Sequence, residues 1–102
     1  HAGARERVSA YLDWSLSGQF SETDLVAMSD PKLRRTLTRR WAERLTPWLA
    51  LPADLTPDVR ARLIAVRLLT DGGWLADATE FFPPTADERA RVRRLALDLL
   101  KD

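Results

Sequence analysis

The sequence contains no cysteine, which excludes disulfides, thiolate metal sites and cysteine nucleophiles. Its one histidine is His1, at the chain terminus. The commonest general base and the commonest metal ligand are therefore missing from the body of the chain. No apolar run approaches the roughly 20 residues of a membrane span, and there is no secretory hydrophobic segment. Charge of one sign is also lacking: 16 basic against 15 acidic residues leave a net +1, so no global field draws nucleic acid or membrane. Glycine and proline are sparse, at 4 and 6 residues, and sit at punctuation points. What is present is an ordinary globular mixture, 45% hydrophobic and 30% charged over 102 residues, enough for one domain with a modest core. The expectation is a cytosolic helical domain with no catalytic role and no cofactor.

The chain opens His1-Ala2-Gly3 rather than on methionine. Residues 1–3 are expected to be a tag or processing scar, and 4–102 a single helical domain. Leu, Ala and Arg dominate, and the pattern predicts five helices in an all-α, antiparallel bundle. The first runs from about Ala4 to Ser17, with Val8, Tyr11, Leu12, Ser15 and Leu16 on one face and Glu6 and Asp13 opposite. Ser21-Glu22-Thr23-Asp24, a capping-box variant, opens a short second helix to Met28. Asp30-Pro31 opens the third, to about Leu45 or Leu49, as an N-cap followed by proline at the first helical position. Leu33, Leu37, Trp41, Leu45 and Trp48 form its ridge; Lys32, Arg35, Arg39 and Glu43 lie opposite. Pro47 is expected to kink this helix or restart it as a brief turn. Thr56-Pro57 repeats the cap signal for the fourth helix, and Phe82-Pro83-Pro84 breaks the chain after it. Thr85-Ala86-Asp87-Glu88 is a full capping box for the fifth, to about Leu100.

The fourth helix is apolar on two sides. Val59, Leu63, Val66, Thr70 and Trp74 project one way; Ala61, Ile64, Ala65, Leu68, Gly72 and Leu75 project the other; Arg60, Arg67 and Asp71 fill a strip between them. A helix apolar on two sides is buried on two sides, and in a chain this small the second partner is expected to be another copy. The fifth helix repeats the theme, with Val92, Leu95 and Leu99 on one patch and Ala90, Leu97 and Leu100 on another. Ala61, Ile64, Ala65, Leu68, Gly72, Leu75, Val92, Leu95 and Leu99 are thus the expected interface of a twofold four-helix homodimer; two helices central in a compact monomer would give the same pattern. Gly72-Gly73 disfavours a helix, yet Trp74-Leu75-Ala76 continue in register, so the helix is expected to run on, with glycine serving close packing.

The stretch Arg67-Leu68-Leu69-Thr70-Asp71-Gly72-Gly73-Trp74-Leu75-Ala76-Asp77, with the aromatic-proline break and Glu88-Arg89-Ala90-Arg91-Val92, resembles the C-terminal end of TetR-family bacterial transcriptional repressors. Leu25-Val26-Ala27-Met28-Ser29-Asp30-Pro31-Lys32-Leu33 and Arg39-Arg40-Trp41 resemble the family's middle helices around its ligand pocket. The chain departs from the family at Gly73, where a bulky apolar residue is usual, and the N-terminal helix-turn-helix is missing. The resemblance implies an inducer-binding and dimerisation domain, cytoplasmic, whose ligand controls DNA binding by a helix-turn-helix unit outside this chain. A stand-alone helical protein-interaction module is the alternative.

Tyr11, Trp14, Phe20, Trp41, Trp48 and Trp74, with Met28, lie on or beside inward-facing stripes. They suit either plain core or a pocket for a planar, apolar or aromatic small molecule. With Leu37 and Leu45 from the ridge, the candidate ligand-binding set is Tyr11, Trp14, Phe20, Met28, Leu37, Trp41, Leu45 and Trp74. Arg44 projects beside Leu33 and Leu37, and a buried arginine there requires an acid such as Asp13 or Asp71, or a ligand carboxylate. The basic stretch from Lys32 to Arg44 otherwise reads as a solvated face. Glu6 with Asp13, and Asp77 with Glu80, lack any histidine to complete a catalytic or metal site, and Ser9, Ser15 and Ser17 lack an activating motif.

Overall fold

In the computed structural model, residues 2–16 and 29–101 are described; for Ala2, Ser15 and Leu16 this holds for the backbone alone. The predicted short helix from Ser21 to Met28, and with it Phe20 and Met28, lies outside the described residues. Four helices are described, α1 (Ala2–Leu16), α2 (Pro31–Leu49), α3 (Pro57–Thr79) and α4 (Ala86–Leu99), and no strand occurs among the described residues.

Among the described residues, the cap signals at Asp30, Thr56 and Thr85 act where the sequence places them. The Asp30 carboxylate accepts from the backbone N–H of Lys32 at 2.9 Å and of Leu33 at 3.2 Å, satisfying two orphan donors of the first turn of α2. The Thr56 hydroxyl accepts from Val59 N–H at 3.2 Å ahead of Pro57. At the start of α4, the Thr85 hydroxyl accepts from Glu88 N–H at 3.2 Å and Glu88 Oε1 accepts from Thr85 N–H at 2.9 Å, a reciprocal capping box. The Thr85 backbone bond first, and the Thr85 hydroxyl second, hold the Glu88 carboxyl below its ordinary value. A carboxyl depressed in the folded state stabilises it above the unfolded-state pKa, and that contribution disappears as pH falls through the folded-state value. NMR titration should place Glu88 below glutamate in an unfolded peptide, and Glu88→Gln should flatten this part of the acid limb. A midpoint at the unfolded value would refute the coupling.

Two expectations about breakers resolve differently. Pro47 lies inside α2, which continues to Leu49. A proline in the final turn removes one ladder bond, and the helix closes beyond it through Ala50 N–H to the Thr46 carbonyl at 2.9 Å. The expected restart after Pro47 is therefore absent. Gly72 and Gly73 lie within an uninterrupted α3, but a Cβ added at either meets nothing within 4 Å. Close packing inside this chain is not what they serve. The turn after α3 is formed by Glu80 and Phe82 with positive φ of 57° and 47°, in the left-handed region that favours glycine. Thr79 stitches it, donating to the Leu75 carbonyl at 2.7 Å and accepting from Phe81 N–H at 3.3 Å.

The core lies where α1 meets α3 and α4. Ala4, Val8 and Leu12 of α1, Leu63 and Val66 of α3, and Ala96 with Leu100 at the end of α4 form one buried cluster, flanked by Leu51, Leu55, Val59, Leu69 and Leu97. Thr70, the one buried polar side chain among the described residues, donates to the Val66 carbonyl at 2.7 Å and so carries no unmet donor into the interior. At the edge, Arg93 reaches back to Asp13 of α1, with Nη2 at 2.7 Å. Arg89 makes a two-pronged pair with Asp77, at 2.6 and 2.7 Å, across the α3–α4 turn. Both pairs are partly solvated, so they fix register more than they stabilise.

Candidate ligand-binding site

Helix α2 buries none of its residues. Its predicted ridge does face the bundle, but only partway: Leu37, Trp41 and Leu45 are half-buried, while Leu33 and Trp48 are exposed. A helix whose apolar ridge stands off from its neighbours leaves space beneath it, and two adjoining cavities lie there. The larger, of about 600 Å³, is lined by Tyr11 of α1, by Trp41, Leu45, Thr46 and Leu49 of α2, and by Arg67, Asp71, Trp74 and Leu75 of α3, among others. The smaller, of about 330 Å³, is lined by Ala10, Tyr11, Trp14, Arg44, Leu45 and Trp48. Tyr11 and Leu45 belong to both walls.

The aromatic surfaces are set at angles. Trp41 and Trp74 meet edge to face, with centroids 6.2 Å apart and planes at 86°. Tyr11 and Trp14 are tilted by 35° at 6.3 Å. The polar groups come from all three helices: Tyr11 of α1, Thr38, Arg44 and Thr46 of α2, and Arg67 and Asp71 of α3. Tyr11 donates its hydroxyl proton to Asp71 Oδ1 at 2.5 Å, across 60 residues of sequence. On the other side of the carboxylate, Arg67 Nε is 4.0 Å from Asp71 Oδ2, with the two side chains 43% and 47% exposed. That is an ion pair beyond hydrogen-bonding distance, and Arg67 Nε itself is buried with no hydrogen-bond partner.

The structure brings Tyr11, Trp14, Trp41, Leu45 and Trp74 of the candidate set to these walls. Leu37 is half-buried but lines neither cavity, and Phe20 and Met28 fall outside the described residues. Sequence reasoning missed Thr38, Ala42, Thr46, Leu49, Arg67 and Asp71. Arg67 was legible only as part of the polar strip of α3, and Asp71 as part of it or as an acid for Arg44; nothing local tells that Tyr11 closes over that strip. Arg44 is a correction. It is exposed, because the ridge it projects beside is itself near the surface, and its guanidinium stands 6.0 Å from the Trp14 ring centroid. The acids proposed for it are engaged elsewhere, Asp13 by Arg93 and Asp71 by Tyr11 and Arg67. No group of metal-ligating side chains is found among the described residues, and none of the described helices is long and apolar enough to cross a membrane.

The opposite side of the molecule has a different character. Leu63, Val66 and Thr70 of α3 face the core, while Leu68 on the other side is 54% exposed. Ala61, Ala65 and Gly72 are exposed and Ile64 is half-buried, whereas Leu75, expected on this side with them, is exposed on the wall of the larger cavity beneath α2. Helix α4 behaves likewise: Ala96 and Leu100 turn inward, and Leu95 is 64% exposed with Val92 and Leu99 beside it. Among the described residues, the second apolar sides of α3 and α4 are thus left largely exposed.

No curated protein and no solved structure matches the chain. A family model described as tetracyclin repressor-like, C-terminal domain, matches residues 5–101. That span takes in the cavities beneath α2 and the outward sides of α3 and α4 alike, and the chain belongs to the tetracyclin repressor-like C-terminal domain family.

Proposed function

We propose that this chain is the small-molecule-binding and dimerisation part of a transcriptional regulator, in which an apolar or aromatic ligand controls DNA binding by a helix-turn-helix unit outside the chain. The observation that carries the reading is the 600 Å³ cavity walled by Tyr11, Trp41, Leu45 and Trp74, in a family whose domains typically bind small molecules and dimerise. The exposed or half-buried apolar residues Ala61, Ile64, Ala65, Leu68 and Gly72, with Val92, Leu95 and Leu99, support a homodimer through α3 and α4. Helix α3 belongs to both regions, carrying Trp74 on the cavity wall and Leu68 on the outer side. A ligand that binds one arrangement of α3 better than another shifts the dimer toward it by that difference in affinity, and no more.

A thermal-shift screen of planar and apolar compounds tests this. A ligand at ten times its Kd should raise Tm by about 5–10 °C for a domain of this size. Trp41→Ala should cost only about 1–2 kcal/mol, below the 3–5 typical of a fully packed tryptophan, because one side of Trp41 faces open space. It should also weaken ligand quenching of tryptophan fluorescence. A full-sized loss at Trp41, with no compound shifting Tm, would overturn the proposal.

A further inference from the structure

The walls beneath α2 hold, among the described residues, two guanidiniums and one carboxylate: Arg44, Arg67 and Asp71. The carboxylate is already engaged. Its Oδ1 accepts the Tyr11 proton and its Oδ2 faces Arg67. The guanidiniums are not saturated to the same degree. Arg67 Nε is buried and meets no acceptor, since Asp71 stands off at 4.0 Å, and a buried donor is normally matched. Arg44, on the adjoining wall, has its positive group over the Trp14 ring. The remaining lining is largely aromatic and aliphatic, with Trp41 and Trp74 at right angles.

We infer that the ligand class of this site is an organic anion, with a flat apolar body lodged between Trp41 and Trp74 and a carboxylate or similar oxyanion accepting from Arg67. The inference rests on the cavity being the ligand site proposed above. An oxyanion fits the planar donor fork of arginine, meets the exposed edge of the Arg67 guanidinium beside its buried Nε, and offsets the surplus positive charge of the walls. A lipophilic cation would find aromatic faces, but the carboxylate it needs is held by Tyr11 and shadowed by Arg67, which repels it.

The test uses a matched pair of fluorophores, 8-anilinonaphthalene-1-sulfonate and N-phenyl-1-naphthylamine, which share a ring system and differ by the sulfonate. Both are titrated into the full chain and its Arg67→Gln, Arg67→Lys and Trp41→Ala variants, with energy transfer from tryptophan as the readout and thermal melting as the check on folding. Arg67→Gln should weaken the sulfonate about tenfold, the low end for a charge-assisted hydrogen bond because Arg67 is half exposed. It should leave the neutral compound within about twofold, and Arg67→Lys should recover part of the sulfonate affinity. Equal losses for the two compounds, no loss for either, or tighter binding of 1-naphthylmethylammonium than of the sulfonate would overturn the anion assignment while leaving the cavity as a binding site. Binding of the neutral compound that Trp41→Ala does not alter, or none at all, would overturn the site reading itself and this inference with it.

Discussion

Leu63→Ala should destabilise the chain by about 3–4 kcal/mol, measured by urea or thermal unfolding at fixed protein concentration. Leu63 is 1% exposed and sits in the cluster that joins α1, α3 and α4. Truncation removes three carbons' worth of transfer free energy and leaves a void that the flanking helices cannot close without unseating Val8 or Leu12. Native domains are stable by only about 5–15 kcal/mol, so about a fifth or more of the total would go, and Tm should fall by about 15–25 °C. The contrast with Trp41→Ala is the informative part. The larger side chain should cost less, because it stands at the edge of empty space while Leu63 stands at the centre of filled space. A loss at Leu63 below about 1.5 kcal/mol would mean that this cluster is not the core.

Leu68→Glu should convert the proposed dimer to monomer without unfolding it. Within one chain the Leu68 side chain is already half in water, so a carboxylate there costs the monomer little. In a twofold dimer through α3 and α4 each substitution occurs twice, and both carboxylates would be dried without a partner. At about 2 kcal/mol each, near the low end for an uncompensated polar group, dissociation should increase about 1,000-fold. Sedimentation equilibrium across a concentration series reads this directly. A wild-type chain that is monomeric at high concentration would overturn the dimer, and a variant that unfolds in the monomer would show that Leu68 is structural.

How much of this was legible depends on whether a feature is local. The caps at Asp30, Thr56 and Thr85 were read correctly because each is complete within four or five residues. The two-sided character of 57–79 was also legible, since a 3.6-residue period reports direction, and Leu63 and Leu68 do point opposite ways. Depth was not legible. The Leu33–Trp48 ridge has the same periodicity whether it is packed to the bottom of a groove or left standing above one, and the structure shows the second. Misplacing Arg44 in the interior follows from the same ambiguity. Polar partnerships between distant segments were equally hidden. Asp71 looks like a solvated helix residue until the fold brings in Tyr11 from 60 residues away, and Asp13 until Arg93 arrives from 80.

The position of α1 has a kinetic consequence. Helix α4 follows α3 through a short turn, so those two can dock early, whereas α1 reaches its place on α3 only by closing a connection about seven times longer. The extra closure entropy is about 2 kcal/mol, and the contacts that repay it, Ala4, Val8 and Leu12 on Leu63 and Val66, form late or all together. Docking of α1 is therefore the step of this helical chain that depends on non-local contacts, the kind that slow folding. The floor of the cavity beneath α2, Tyr11 on Asp71, is assembled in the same step that completes the core.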